Sequence, residues 1–269
     1  MAKSAAHEAD EDDCLGLAAQ LAFYFLLALF PALLFVVAIL GYLPVQNAMA
    51  ELLTIVSTVA PPDLVDLLAG QLEATTDEGR AGLATLGLVG ALWSSSAAMA
   101  AIIKAMNRTY GVAEWRPWWR RRILALALTG AAGLFIALAL LLMLTGSDVA
   151  MSAARRLGMG DMAAPVWAIV RWPAIVGLVI LALDVVYYVA PNRSQRWAWV
   201  TPGAVVATVG WVASSLSFKL YVTHFGSYNA TYGAIGGVIV VLVWLYLSGL
   251  AILIGAEINS VLAGHRPRQ

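Results

Sequence analysis

The chain has 269 residues, with 16 Lys and Arg against 16 Asp and Glu, and a formal net charge of zero. With 61% hydrophobic and 12% charged residues and a mean hydropathy of +0.82, it carries more apolar surface than a soluble domain of this size can bury. The neutral balance removes the bulk electrostatic case for nucleic-acid binding. One cysteine, Cys14, excludes an intramolecular disulfide and zinc clusters built on several cysteines.

In chain order, residues 1–16 open on an acidic stretch of Glu8, Asp10, Glu11, Asp12 and Asp13. That is the reverse of the positive start of a cleavable signal peptide, and a disordered, solvated cytoplasmic tail is expected. Six apolar runs then fill residues 17–264, at about 17–43, 81–103, 123–145, 166–189, 200–222 and 234–262. Each has about the 20 residues that a helix needs to cross the ~30 Å hydrocarbon core. In lipid the backbone must satisfy its own polar groups, so spans of this length are helices. The fold class is therefore all-α: one polytopic domain of six transmembrane helices, followed by a short tail at 265–269.

The first run contains Pro31, which removes a backbone hydrogen bond and loosens the helix, with Gln20 and Tyr24 ahead of it. In the stretch 44–80, Met49, Leu52, Leu53, Val56 and Val59 recur at helical spacing. Pro61 and Pro62 interrupt, and Leu64, Leu67, Leu68 and Leu72 resume the pattern. Two short amphipathic helices in the outer interface are predicted. The connection 146–164 predicts one more short helix with Arg155 and Arg156 on its wet face, and 223–232 reads as a compact Gly/Tyr/Asn loop.

Basic residues set the orientation. Lys3, Lys104, Arg108, Arg116, Arg120, Arg121, Arg122, Arg193, Arg196, Arg266 and Arg268 fall on one side; Arg80, Arg155, Arg156, Arg171 and Lys219 fall on the other. The positive-inside rule places both termini in the cytoplasm. The first external loop agrees, with six carboxylates between Glu51 and Glu78 and no base.

Ionisable groups inside spans are expensive and are candidates for function. Asp184 in the fourth run and Glu257 in the sixth qualify, both within about three turns of the cytoplasmic end. One reading is an ion-pair cluster with Lys104 and Arg108 that fixes helix register. The other makes the two carboxyls substrate-contacting or coupling groups in a cavity, helped by Tyr24, Asn107, Tyr188 and Asn229. Gly233 and Gly237 form a GxxxG, and Ala251, Gly255, Asn259 and Ala263 form a small-residue stripe. Both suit close helix packing, within the chain or between copies of it. The three histidines, His7, His224 and His265, cannot converge on a metal. No P-loop, GxSxG or HExxH pattern is present. No catalytic residue, metal or cofactor is expected.

Five ordered words carry a resemblance: Tyr24–Pro31 (YFLLALFP), Trp93–Ser96 with Asn107–Val112 (WSSS, NRTYGV), Tyr187–Arg193 with Trp199–Ala204 (YYVAPNR, WVTPGA), Tyr228–Gly233 (YNATYG) and Ile254–Asn259 (IGAEIN). Together they resemble the YihY/BrkB family of bacterial inner-membrane proteins, once mislabelled as ribonuclease BN. The resemblance runs from about residue 17 to 262 and implies six spans and a role in envelope integrity. It supplies no agreed reaction. Transport or lipid handling is the leading functional reading, and a non-transporting envelope scaffold is the alternative. Expected partners are membrane lipids and an envelope or periplasmic protein meeting the external helices, with self-association open and no nucleic acid.

Overall fold

The computed structural model describes residues 8–41, 81–144, 163–225 and 228–263. Among these there is no strand. A short helical turn at 8–11 is followed by six long helices: α1 (Cys14–Gly41), α2 (Ala81–Thr109), α3 (Trp118–Leu144), α4 (Ala163–Val189), α5 (Pro202–Phe225) and α6 (Tyr228–Leu262). Five of them contain a stretch long and apolar enough to cross a membrane: Val89–Thr109, Trp118–Met143, Ile169–Val189, Pro202–Leu220 and Val238–Leu262. In α1 the described apolar stretch is the shorter Cys14–Leu29. The predicted helices in 44–80 and 146–162 lie outside the described residues.

The helices overrun their apolar segments for local reasons. Asp13, with φ of 52°, caps α1: its Oδ1 accepts the Gly16 N–H at 3.2 Å. Within the acidic segment, residues 8–11 form a helical turn, and a turn at 12–13 leads into α1. At the other end of α2, Gly111 adopts φ of 61°. Val112 N–H reaches Asn107 O and Gly111 N–H reaches Arg108 O, both at 2.9 Å. This is a Schellman stop, in which a left-handed glycine lets the last carbonyls find donors. The compact loop expected at 223–232 is replaced by helix on both sides of residues 226–227.

The chain divides into two compact units. One comprises residues 1–29, 95–128 and 180–269; the other comprises 30–94 and 129–179. The first unit gathers the start of α1, the end of α2, the start of α3, the end of α4, and all of α5 and α6. Its interior is built from small and medium side chains, among them Ala18, Leu21, Ile103, Met106 and Leu253, all buried. Large apolar residues such as Leu27, Val209, Leu216 and Leu220 are exposed, as suits side chains that face lipid.

α5 and α6 pack through the stripe at Ala251, Gly255 and Asn259. A Cβ placed on Gly203 would collide with the Gly255 carbonyl oxygen, and one on Gly255 would meet Gly203 O and Tyr187 OH. Only glycine at both positions permits this approach. The stripe therefore packs within the chain. Gly249 of α6 likewise lies against Ala18 and Leu21 of α1. Asn229, Gly233 and Gly237 belong to α6, but their surroundings lie outside the described residues.

Candidate functional site

Polar side chains of the first unit converge on the N-terminus of α5. Thr201 is its N-cap and Pro202 its first helical residue, where the missing N–H costs nothing. Thr201 Oγ1 accepts the Ala204 N–H at 3.2 Å, and Asn259 Oδ1 accepts the Gly203 N–H at 2.9 Å. Two orphan donors of the first turn are satisfied in this way. Asp184 reaches in from α4. Its Oδ1 accepts the Thr201 hydroxyl at 2.5 Å and the Thr201 N–H at 3.2 Å. Asn259 Nδ2 donates to Thr201 Oγ1 at 2.9 Å. Asp184 is 1% exposed, so this is a buried node joining α4, α5 and α6. One turn along α4, Tyr187 donates its hydroxyl to Ile252 O of α6 at 2.8 Å.

A second network ties the α2–α3 connection to the α4–α5 connection. Asn107, buried at the end of α2, accepts the Asn192 N–H at 2.7 Å and donates to Glu114 Oε2 at 2.8 Å. Glu114 in turn holds Arg116 through two bonds, Nε to Oε1 at 2.8 Å and Nη2 to Oε2 at 2.9 Å. Arg116 Nη2 also donates to Ala190 O at 2.8 Å, and Asn192 Nδ2 donates to Ala113 O at 3.0 Å. Partial burial pushes the Glu114 carboxyl up, but donors from Arg116 and Asn107 outweigh it and hold the group below its ordinary range.

Glu257 sits apart from both networks. It is fully buried in α6, and Cys14 Sγ of α1 donates to its Oε1 at 3.4 Å. Its Oε2 has no hydrogen-bond partner among the described residues. The ion-pair cluster expected around Asp184 and Glu257 does not form among those residues. Lys104 is exposed, and Arg108 lies 4.0 Å from Asp12 instead. Both cations line a cavity beside α1 and α3, whereas Asp184 turns to Thr201 and Glu257 to Cys14.

Of the cavities that open within this unit, two bear on these networks. The larger, about 660 Å³, is lined by α1, α2 and the start of α3, including Gln20, Tyr24, Lys104, Asn107, Arg108 and Arg121. The smaller, about 300 Å³, lies over the α5 node and includes Tyr110, Asp184, Tyr188, Arg196, Thr201 and Asn259. The expected residues are thus divided. Tyr24 and Asn107 belong to one cavity, Asp184 and Tyr188 to the other, and Glu257 lines neither. Tyr188 starts an edge-to-face ladder, 5.0 Å from Trp197, which is 5.5 Å from Trp199. Thr201 and Glu114 were not anticipated as participants. The Thr-Pro-Gly-Ala order, an N-cap followed by proline, is the signal that identifies Thr201. No comparable spacing marks Glu114. No group of three or more metal-ligating side chains occurs among the described residues.

Comparison with known proteins agrees with this architecture. The chain is 38% identical to the ribonuclease-like protein YfkH of Bacillus subtilis over 91% of its own length and 88% of that protein. It is 26% identical to a UPF0761 membrane protein of Nitrosospira multiformis over 96% of its own length and 60% of that longer chain. A UPF0761 membrane protein of Aromatoleum aromaticum is 30% identical over 93% of this chain and 60% of its own. No solved structure matches. The model of the family Virulence factor BrkB matches residues 5–269, and the chain, a membrane protein with several long apolar helices, belongs to that family, also known as YihY.

Proposed function

We propose that the protein is a six-span protein of the bacterial inner membrane, with both termini cytoplasmic. In this reading it moves or handles an amphiphilic or anionic substrate at its basic end and performs no enzymatic chemistry. The observation that carries the reading is the 660 Å³ cavity, which combines an apolar wall with Lys104, Arg108, Arg121 and Arg122. A cavity of both characters suits a molecule with an apolar and a charged part. Support for the orientation comes from the alternation of helix ends in the first unit: the start of α1 and the end of α6 lie in the same unit as the basic α2–α3 and α4–α5 connections.

The test is reconstitution in proteoliposomes, following fluorescent-lipid scrambling and uptake of small anions, with Glu257→Gln alongside. Activity above empty vesicles that the variant loses supports transport and makes Glu257 a coupling group. Silence in both assays, with folded and inserted protein, transfers the reading to an envelope scaffold. One specific observation favours that second reading: the hydrogen bonds of Asp184 come from Thr201 and serve a helix end.

A further inference from the structure

Three carboxyls of the first unit are stabilised in different ways. Glu114 is held by the Arg116 guanidinium. Asp184 takes the Thr201 hydroxyl and N–H at the N-terminus of α5, where the helix dipole favours a negative group. Glu257 has neither kind of support. It is fully buried, the Cys14 thiol donates to its Oε1 at 3.4 Å, and its Oε2 has no partner among the described residues. No Lys or Arg nitrogen lies within 4.0 Å of it among those residues. Ahead of α1, Glu8 and Asp12 bring like charge towards it, and Arg108 lies 4.0 Å from Asp12. Asp13 already occupies the positive end of α1 through the Gly16 N–H. From the end of α2 come the hydroxyl groups of Thr109 and Tyr110. Thr109 is buried, and its Oγ1 also has no partner among the described residues. A bare carboxylate at this place would be an unpaired buried charge, which is far more costly than a buried neutral acid. A proton removes the charge and turns Oε2 into a donor, for which Thr109 Oγ1 is an acceptor.

We propose that Glu257 is a proton-binding site, with the proton on Oε2 and shared with Thr109 Oγ1, at the junction of α1, α2 and α6. Arg108 and Thr109 are consecutive in α2. The residue that meets the proton therefore adjoins one that lines the larger cavity. Loss of the proton leaves an uncompensated charge among three helices and loosens that turn of α2. Glu257 is five residues before Leu262, the last of α6, roughly 8 Å along the helix. The proton thus exchanges at the end of the unit that carries the basic connections. The site gives the proposed transport its coupling ion, and in that respect rests on it. Proton binding is read without any substrate, so the two fail separately.

The experiment is infrared difference spectroscopy of the full chain in lipid nanodiscs at neutral pH. A protonated carboxyl shows a C=O stretch well separated from the bands of an ionised one. That stretch is expected in the wild type and in Asp184→Asn, with a downshift in D2O, and is expected to be missing from Glu257→Gln. In Thr109→Val it is expected to keep its intensity and move to higher wavenumber, because its hydrogen bond is gone. Raising the pH is expected to abolish the band reversibly in the wild type, a reading that needs no variant. A wild type without the band at neutral pH, or a band undiminished in Glu257→Gln, overturns the proposal. A band unmoved in Thr109→Val overturns the sharing with Thr109. A protein that shows the band and transports nothing in proteoliposomes keeps the proton site and loses the transport reading.

Discussion

Asn259 Oδ1 accepts the backbone N–H of Gly203 at 2.9 Å, and the same contact brings the backbones of α5 and α6 together at Gly203 and Gly255. Either glycine replaced by alanine puts a methyl group against a backbone carbonyl that cannot step aside. Overpacking of this kind costs about 1–3 kcal/mol. Gly203→Ala and Gly255→Ala are each expected to lower the thermal midpoint in detergent, and the double variant to cost less than the sum, because both open the same contact. Additive losses would show that the two residues are not in contact.

Asp184 separates a structural from a coupling role. Asparagine keeps one acceptor oxygen for Thr201, so Asp184→Asn is expected to fold with little loss. Asp184→Ala leaves the Thr201 N–H without its acceptor and costs about 1–3 kcal/mol. Thr201→Val, which removes the cap, costs about 0.5–2 kcal/mol. Transport by Asp184→Asn at the wild-type level would assign the carboxylate to the helix end.

The Glu114 clamp has a definite pH dependence. Its carboxyl is held below the ordinary range, so the folded state binds this proton less readily than the unfolded chain. The stabilisation is therefore complete at neutral pH and is lost as pH falls through the acidic carboxylate range and below it. Protease cleavage in the α2–α3 connection is expected to rise over that window in the wild type. In Glu114→Gln it is expected to be faster at neutral pH and flat across the window. A pH-independent wild-type profile would remove Glu114 as the latch.

Cys14 is the only cysteine, and it is buried against Glu257. A membrane-permeant maleimide is expected to label the native protein at least tenfold more slowly than the detergent-unfolded chain, because labelling needs local opening. Glu257→Ala leaves a void beside the thiol and is expected to speed labelling several-fold, whereas Glu257→Gln, of the same size, is not. Mass spectrometry of timed aliquots reads all three.

Hydropathy made the helices legible because lipid imposes one length and one backbone solution on a spanning segment. The stripe at Ala251, Gly255 and Asn259 was readable as a packing face for a similar reason: small residues four apart have few other uses in a membrane helix. Its partner was not readable, since nothing in α6 names Gly203. The candidate carboxyls were found by their cost in an apolar run. Their surroundings were not, because the rotation of each helix decides whether a side chain meets a cavity or a neighbour. Asp184 turned to Thr201 and Glu257 to Cys14, so a single shared cavity became two cavities and a buried carboxyl. The Asn107–Glu114–Arg116 clamp was least visible of all. It depends on the chain reversing at Gly111, and side-chain geometry in a reversal leaves no period in the sequence.

The node at α5 also sets an order of events during synthesis. Thr201 and Asn259, hydrogen-bonded in the finished protein, are 58 residues apart. At ~5–20 residues per second, the ribosome takes roughly 3–12 s to make the amide that completes the node. During that interval Asp184 and Thr201 can pair, while the Gly203 N–H has no Asn259 to receive it. Until the last helix is made, the first turn of α5 therefore lacks one of the acceptors that the finished fold supplies.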